Sequence, residues 1–423
     1  MLITLAVAFF GLLLLRVPVA AAMGLSGALA LLTSPMRLPL EVVPQRLFVL
    51  IDSTSLLAIP FFILAGAIME RGGLSRRMIG LAEAMVGHWR GGLAQVDVAA
   101  SAIFSSLTGS SAASASATGS IMIPAMKRAG YPAGYAAALE ASSAAIGPII
   151  PPSIIMVVYG SLAGVSVGDL FLAGIVPGIL ITIGLFVVNY IEADRHGWGG
   201  AEKATWRARF AAARHAVAAL ITPLIIIGGI LFGVFTPTEA GAVAVVYALG
   251  VTLFLYRSMT MAELGRAVAD AALTTGIVGL IIAAAGVFGW VLALERVPTT
   301  IVATVQALTD SPWIAVAIIV AFVLVIGCFV DVTAAVIVLV PVLHPLGLAY
   351  GFDPVHFGII LCVALVYGNV TPPVGLLLYL TARIADCSVT EVMRHQIPFY
   401  IVLSLALLLT ILLPGLVLFL TRI

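Results

Sequence analysis

The chain has 423 residues with 20 Lys or Arg and 19 Asp or Glu, a formal net charge of +1, and 62% hydrophobic positions. Charged residues make up 9%, against about 25% in a soluble domain, so a water-soluble fold is excluded and an all-α polytopic membrane protein in contact with lipid is expected. The near-zero net charge offers no basic face for nucleic acid. Cys328, Cys362 and Cys387 form no CxxC pair, which removes a disulfide framework and a zinc site.

Met1 to Leu15 is apolar, but the first positive residue, Arg16, follows the run. A signal peptide has the opposite order. A retained first helix with its N-terminus outside is therefore expected. Further along, hydropathy and breakers predict helices at 2–15, 17–33, 53–70, 134–163, 168–191, 217–235, 237–256, 267–294, 354–384 and 396–420. Segments 75–90 and 299–310 are amphipathic and too polar to cross, which predicts helices lying along opposite membrane surfaces. The hydrophilic stretch 192–216 holds Arg195, Lys203, Arg207, Arg209 and Arg214, and the positive-inside rule assigns it to the cytoplasm.

That stretch divides two halves that repeat. Gly130 and Gly351, Gly147 and Gly368, Pro151-Pro152 and Pro372-Pro373, and Pro177 and Pro398 all stand 221 positions apart. Arg71, Arg76, Arg77, Arg90, Lys127 and Arg128 root the first copy in the cytoplasm, whereas the second carries Arg296 with Glu295 and Asp310 at the matching places. Opposite rooting of two copies predicts an inverted-topology repeat, as in many secondary transporters. The expected division is a first repeat at 1–195, a linker at 196–216 and a second repeat at 217–423. Segment 92–128 begins and ends at cytoplasmic-type charge, so it is expected to be a re-entrant hairpin, and 312–346 is its counterpart from outside.

Four places carry chemistry. Pro151-Pro152 breaks helix 134–163 and Pro372-Pro373 breaks helix 354–384, each pair removing two N–H donors and freeing carbonyls in the preceding turn. One such break is an ordinary kink; two at equivalent positions, each near a polar hairpin tip, point to ion binding. The first tip offers Ser105, Thr108, Ser110, Ser111, Ser114 and Ser116, hydroxyl donors suited to a hard cation such as Na⁺ and equally suited to close helix packing. In the second tip, Gly327 to Thr333, Asp331 is the only acid. A buried charge there demands a function or a partner, and capping of the tip N–H groups is the alternative. Glu140 is expected to face the pathway or pair with a cytoplasmic charge, Glu239 to cap a helix after Thr236, and Arg383 to anchor the cytoplasmic side. The six histidines lack metal spacing, and no nucleotide-binding motif occurs.

The runs GSSAASASATGSIMIPA from Gly109 to Ala125, GPIIPPSI from Gly147 to Ile154, GCFVDVTAAVIVLVPV from Gly327 to Val342 and GNVTPPVGL from Gly368 to Leu376 resemble the large membrane subunit of tripartite ATP-independent periplasmic (TRAP) transporters. The likeness spans essentially the whole chain. It implies Na⁺-coupled uptake of an organic acid by an elevator movement, in a bacterial inner membrane, with two partners: a small four-helix membrane subunit and a periplasmic substrate-binding protein. It further implies one Na⁺ site at Ser105, Thr108, Gly147, Ile150 and Pro151, and a second at Gly327, Gly368, Thr371 and Val374. Val374 stands where the family often has methionine, so only its backbone is assigned a role. Ser110, Ser111, Ser114, Asp331 and Thr333 are candidates for meeting substrate at the tips.

The expected mobile domain is 92–177 with 312–398, sliding against a scaffold, and both termini are expected to be periplasmic. With no extra helices before Met1 or after Ile423, the unfused form of the subunit is expected. A stand-alone ion-coupled dicarboxylate or anion transporter is the alternative within transport. A membrane-embedded lipid enzyme is the alternative outside it, and would need converging acids or histidines where the sequence offers an isolated Asp331.

Overall fold

The computed structural model describes residues 1–34 and 39–422, with backbone alone at Ser105 and Ser106. Among the described residues all regular structure is helical, and eight helices are long and apolar enough to cross a membrane.

The first half contains α1 (Leu2–Leu14), α2 (Val19–Leu32), α3 (Val42–Ile51), α4 (Ala58–Arg71) and α5 (Leu74–Val86). A hairpin of α6 (Gly92–Thr108) and α7 (Ser111–Arg128) follows, then α8 (Ala133–Ala144), α9 (Ile154–Ala163) and α10 (Val167–His196). The second half runs α11 (Trp206–Leu231), α12 (Pro237–Leu249, prolonged by a π-helical turn), α13 (Met261–Leu294) and α14 (Val297–Leu308). Its hairpin is α15 (Pro312–Phe329) with α16 (Val332–Ala349), followed by α17 (Pro354–Gly368), α18 (Leu376–Ala385), α19 (Val389–Leu412) and a short α20 (Pro414–Val417).

The element order of the halves is the same: long helix, short surface helix, hairpin, broken helix, long helix. Their turns match as well. Gly130 at φ +89° and Gly351 at φ +79° each carry the chain from hairpin into broken helix, a left-handed conformation that glycine adopts without a Cβ penalty. Both predicted breaks are present, and the peptide bonds Pro151-Pro152 and Pro372-Pro373 are cis.

The halves interlock. α4 of the first packs along α12 of the second, while α13 of the second packs along α2 and α3 of the first. In the same way α7 packs on α18, α16 on α9, α8 on α19 and α17 on α10. Apart from the α13–α3 contact, each of these has its mirror in the other half, which is how an inverted repeat closes on itself. The fold class expected from the sequence is the one observed.

Several boundaries differ from expectation. α3 was not anticipated, because Pro44, Gln45 and Arg46 interrupt its apolar run. It forms because it has a partner: Gly286 of α13 lacks a side chain, and a Cβ there would fall 2.4 Å from the Arg46 carbonyl oxygen. Arg46 covers the Trp290 ring at 5.0 Å. α1 and α2 have 13 and 14 residues, about 20 Å each at 1.5 Å per residue, short of the ~30 Å hydrocarbon thickness.

The linker is shorter than 196–216, since α11 starts at Trp206 and carries Arg207, Arg209 and Arg214 on its first turns. Charge raised the polarity there without breaking the helix, and Thr205 caps it through Ala208 N at 3.2 Å. α13 likewise starts six residues before 267, where Thr260 and Glu263 form a capping box. α19 stops at Leu412 rather than 420 because Pro414 disfavours helical geometry at the residue before it. Glu239 caps α12 with Thr236 as expected.

Candidate functional site

Each break meets a hairpin tip backbone to backbone. At the first, Pro151 and Pro152 deprive the carbonyls of Gly147 and Pro148 of their helical donors. The Ser153 hydroxyl fills one place, donating to the Pro148 carbonyl at 2.5 Å while accepting from Met156 N at 3.3 Å. The Gly147 carbonyl accepts no bond among the described residues. The tip rests directly on this turn: a Cβ on Gly109 would lie 2.5 Å from the Pro152 carbonyl oxygen, and one on Gly147 would lie 3.3 Å from the Ser110 carbonyl carbon. Two glycines therefore set the distance between tip and break.

Of the first predicted set, the structure brings Thr108, Gly147 and Pro151 into one neighbourhood, with Thr108 Oγ1 3.0 Å from Ser114 Oγ. The Ile150 side chain turns away onto Gly178 of α10. The side chain of Ser105 lies outside the described residues. Ser114 is fully buried and is held by Thr108, which lines the cavity described below while Ser114 does not.

The second set is assembled in the same manner. A Cβ on Gly368 would lie 2.8 Å from both Gly327 Cα and the Leu324 carbonyl oxygen, so α15 and α17 touch through their backbones. Gly375 N donates to the Cys328 carbonyl at 2.9 Å, the Cys328 thiol donates to the Thr371 carbonyl at 3.0 Å, and Val374 N reaches Cys328 Sγ at 3.4 Å. The Thr371 hydroxyl donates to the Tyr367 carbonyl at 2.8 Å, leaving its lone pairs free to accept. Tyr400 holds the Val370 carbonyl at 2.9 Å. Gly327, Gly368, Thr371 and Val374 thus share one small region in which oxygen dominates. Donors of that kind fit a hard monovalent cation.

Between the tips and helices α4 and α13 lies a cavity of about 660 Å³. Its wall includes Ser110, Ser111, Asp331 and Thr333 from the tips and Ile63, Glu70, Arg71, Asp270 and Thr274 from α4 and α13. The first residues of α7, α9 and α16, Ser111, Ile154 and Val332, all line it, so three helix N-termini with their partial positive charge face one space. Among the described residues Arg71 is its only Lys or Arg, and it pairs with Asp270.

Asp331 is exposed and caps α16, accepting from Thr333 N at 2.9 Å and Ala334 N at 3.4 Å. The capping alternative accounts for this carboxylate. Glu140 is another matter. It neither faces the cavity nor pairs with a cytoplasmic cation, but is fully buried and accepts from the Thr118 hydroxyl at 2.5 Å. Asp97, which the sequence reading passed over, lies beside it. Acids do converge inside the bundle, therefore, although away from any cavity in which a lipid could react. Asn369 was also missed; it is buried in the second break with its side-chain oxygen lacking a donor. Its position between Gly368 and Thr371 was the available signal.

Residues 6–416 match the family described as the DctM component of the tripartite ATP-independent periplasmic transporter. The C4-dicarboxylate TRAP transporter large permease protein DctM of Pseudomonas aeruginosa is 40% identical over 394 residues, covering 93% of this chain and 92% of that one. The isethionate TRAP transporter permease protein DctMQ of Oleidesulfovibrio alaskensis is 38% identical over 416 residues, and the chain spans 64% of its length. In fold, the chain is similar to the crystal structure of the YdaH transporter of Alcanivorax borkumensis, with a TM-score of 0.63 over 97% of this chain and 98% of that one, at 15% identity. The chain belongs to the DctM family of TRAP transporters. It is a multi-pass inner-membrane permease, not an enzyme.

Proposed function

We propose that this chain is the transport subunit of a Na⁺-coupled importer of an organic acid. A small four-helix membrane subunit accompanies it, and a periplasmic binding protein delivers the substrate. The observation that carries the reading is the convergence of three helix N-termini, those of α7, α9 and α16, on the cavity between the two tips. Backbone N–H groups at such termini favour a carboxylate, and Arg71, paired with Asp270, is a cation in the same wall. The Thr108–Gly147–Pro151 and Gly327–Gly368–Thr371–Val374 regions supply Na⁺ sites, the first with the Gly147 carbonyl that Pro151 deprives of a donor, the second with the Thr371 hydroxyl and the remaining lone pairs of its carbonyls.

Na⁺ bound there neutralises carbonyl dipoles between tip and break, so that hairpin and broken helix move as one body. The mobile body is 92–177 with 312–398, the scaffold is the rest, and both chain ends face the periplasm. Substrate bound at the tips is then carried past the scaffold helices α4 and α13.

Two Na⁺ regions imply that uptake, reconstituted with both partners in liposomes, rises sigmoidally with external Na⁺ and needs no ATP. Uptake that persists unchanged in choline buffer would overturn the coupling. Robust uptake by this chain without a binding protein would instead favour a stand-alone carrier.

A further inference from the structure

A buried acidic pair stands apart from the cavity and from both Na⁺ regions. Asp97 of α6 and Glu140 of α8 are each 0% exposed, and they lie side by side with Ser143. The Thr118 hydroxyl donates to one oxygen of Glu140 at 2.5 Å. Both oxygens of Asp97, the other oxygen of Glu140 and the Ser143 hydroxyl have no hydrogen-bond partner. Neither acid takes part in an ion pair among the described residues. The remaining titratable groups around the pair are Tyr131 and Tyr135, Glu192 of α10, and His395 of α19, which meets Tyr135 edge-on at 6.1 Å. No Lys or Arg is among them.

Two ionised carboxylates cannot be held together in a low-dielectric interior with their oxygens unpaired. Something positive must lie between them, and the smallest candidate is a proton. A proton on one carboxyl turns two facing acceptors into a donor and an acceptor, and satisfies two of the orphan oxygens at once. The same seam joins hairpin to broken helix: Glu140 Cγ would be 3.0 Å from a Cβ on Gly119 of α7, and α6, α7 and α8 pack on one another around the pair.

We propose that Asp97 and Glu140 form a proton-binding site inside the hairpin domain, a carboxylic acid hydrogen-bonded to a carboxylate that keeps its shared proton through the transport cycle. No described cavity reaches either side chain, so the proton stays sealed from the substrate pathway. It fastens α6 to α8, the arm of the hairpin to the first half of the broken helix. The inference is independent of the Na⁺ reading, because it concerns oxygens outside both regions.

The test is infrared spectroscopy of the full chain in lipid nanodiscs, in mildly alkaline buffer where exposed carboxyls are ionised. Wild type should show the carbonyl stretch of a protonated carboxylic acid. Asp97→Asn and Glu140→Gln should each shift it, and the double variant should remove it. Absence of the band in wild type, or its survival unchanged in the double variant, overturns the proposal. Carboxylate bands that respond to Na⁺ removal in wild type but not in the double variant also overturn it, in favour of a metal cation between the two acids. Should a variant misfold, the wild-type spectra with and without Na⁺ still decide.

Discussion

At the scale of single residues, Thr371 separates ligation from packing. Its hydroxyl donates to the Tyr367 carbonyl while its own carbonyl receives the Cys328 thiol. Thr371→Val keeps volume and β-branching and removes one oxygen. If that oxygen ligates Na⁺, the Na⁺ concentration for half-maximal uptake should rise severalfold, a tenfold rise corresponding to about 1.4 kcal/mol, and added Na⁺ should restore part of the rate. Thr371→Ser should behave as wild type. An unmoved Na⁺ titration in well-folded Thr371→Val protein would remove the hydroxyl from the site.

Asp331 was legible as an unusual acid, but its use was not. Capping depends on where α16 begins, and hydropathy does not fix a helix start inside an apolar run. Asp97 and Glu140 were illegible as a pair because 43 positions separate them and only the packing of α6 on α8 brings them together.

At the scale of elements, small residues decide which helices can touch. Gly327 and Gly368 let α15 and α17 meet through their backbones, and an added methyl at Gly368 would find two backbone atoms of α15 at 2.8 Å. Backbone cannot swing aside as a flexible side chain can. Gly368→Ala should therefore destabilise the domain by about 1–3 kcal/mol and lower Na⁺ affinity, read together as a reduced melting temperature and a right-shifted Na⁺ titration. Gly228→Ala on α11, where nothing lies within 4 Å of the new methyl, is the control and should leave both unchanged.

The hairpins and breaks were readable because their signals are local: charge at both ends of 92–128, and prolines that cannot donate. α3 was not readable, because its polar interruptions become acceptable only against Gly286 and Trp290 of a helix far along the chain. Similarly, Thr260 and Thr205 start α13 and α11 by capping, a signal that a hydropathy reading overlooks.

At the scale of the whole molecule, the sliding of the hairpins proposed above makes a covalent prediction. Gly289 of α13 faces Pro341 of α16, with a Cβ on Gly289 lying 4.0 Å from the Pro341 Cβ, within the span a disulfide accepts. In Gly289→Cys/Pro341→Cys protein, oxidation should stop uptake and a reductant should restore it. A Gly24→Cys/Ala284→Cys pair, 3.8 Å apart between α2 and α13, both outside the proposed mobile body, should form its bond without stopping uptake. Full uptake by the oxidised first pair would exclude relative movement of α13 and α16.

The exchange of partners between halves also governs how the protein is made. α4 emerges early in synthesis, yet the helix it packs along, α12, belongs to the other half. α8, which leads into the first break, likewise waits for α19 near the C-terminus. The first half enters the bilayer with its inward faces uncovered and must be held there until the ribosome has nearly finished. Assembly is therefore a late event, and a chain truncated before α19 leaves the first broken helix without the surface that closes it.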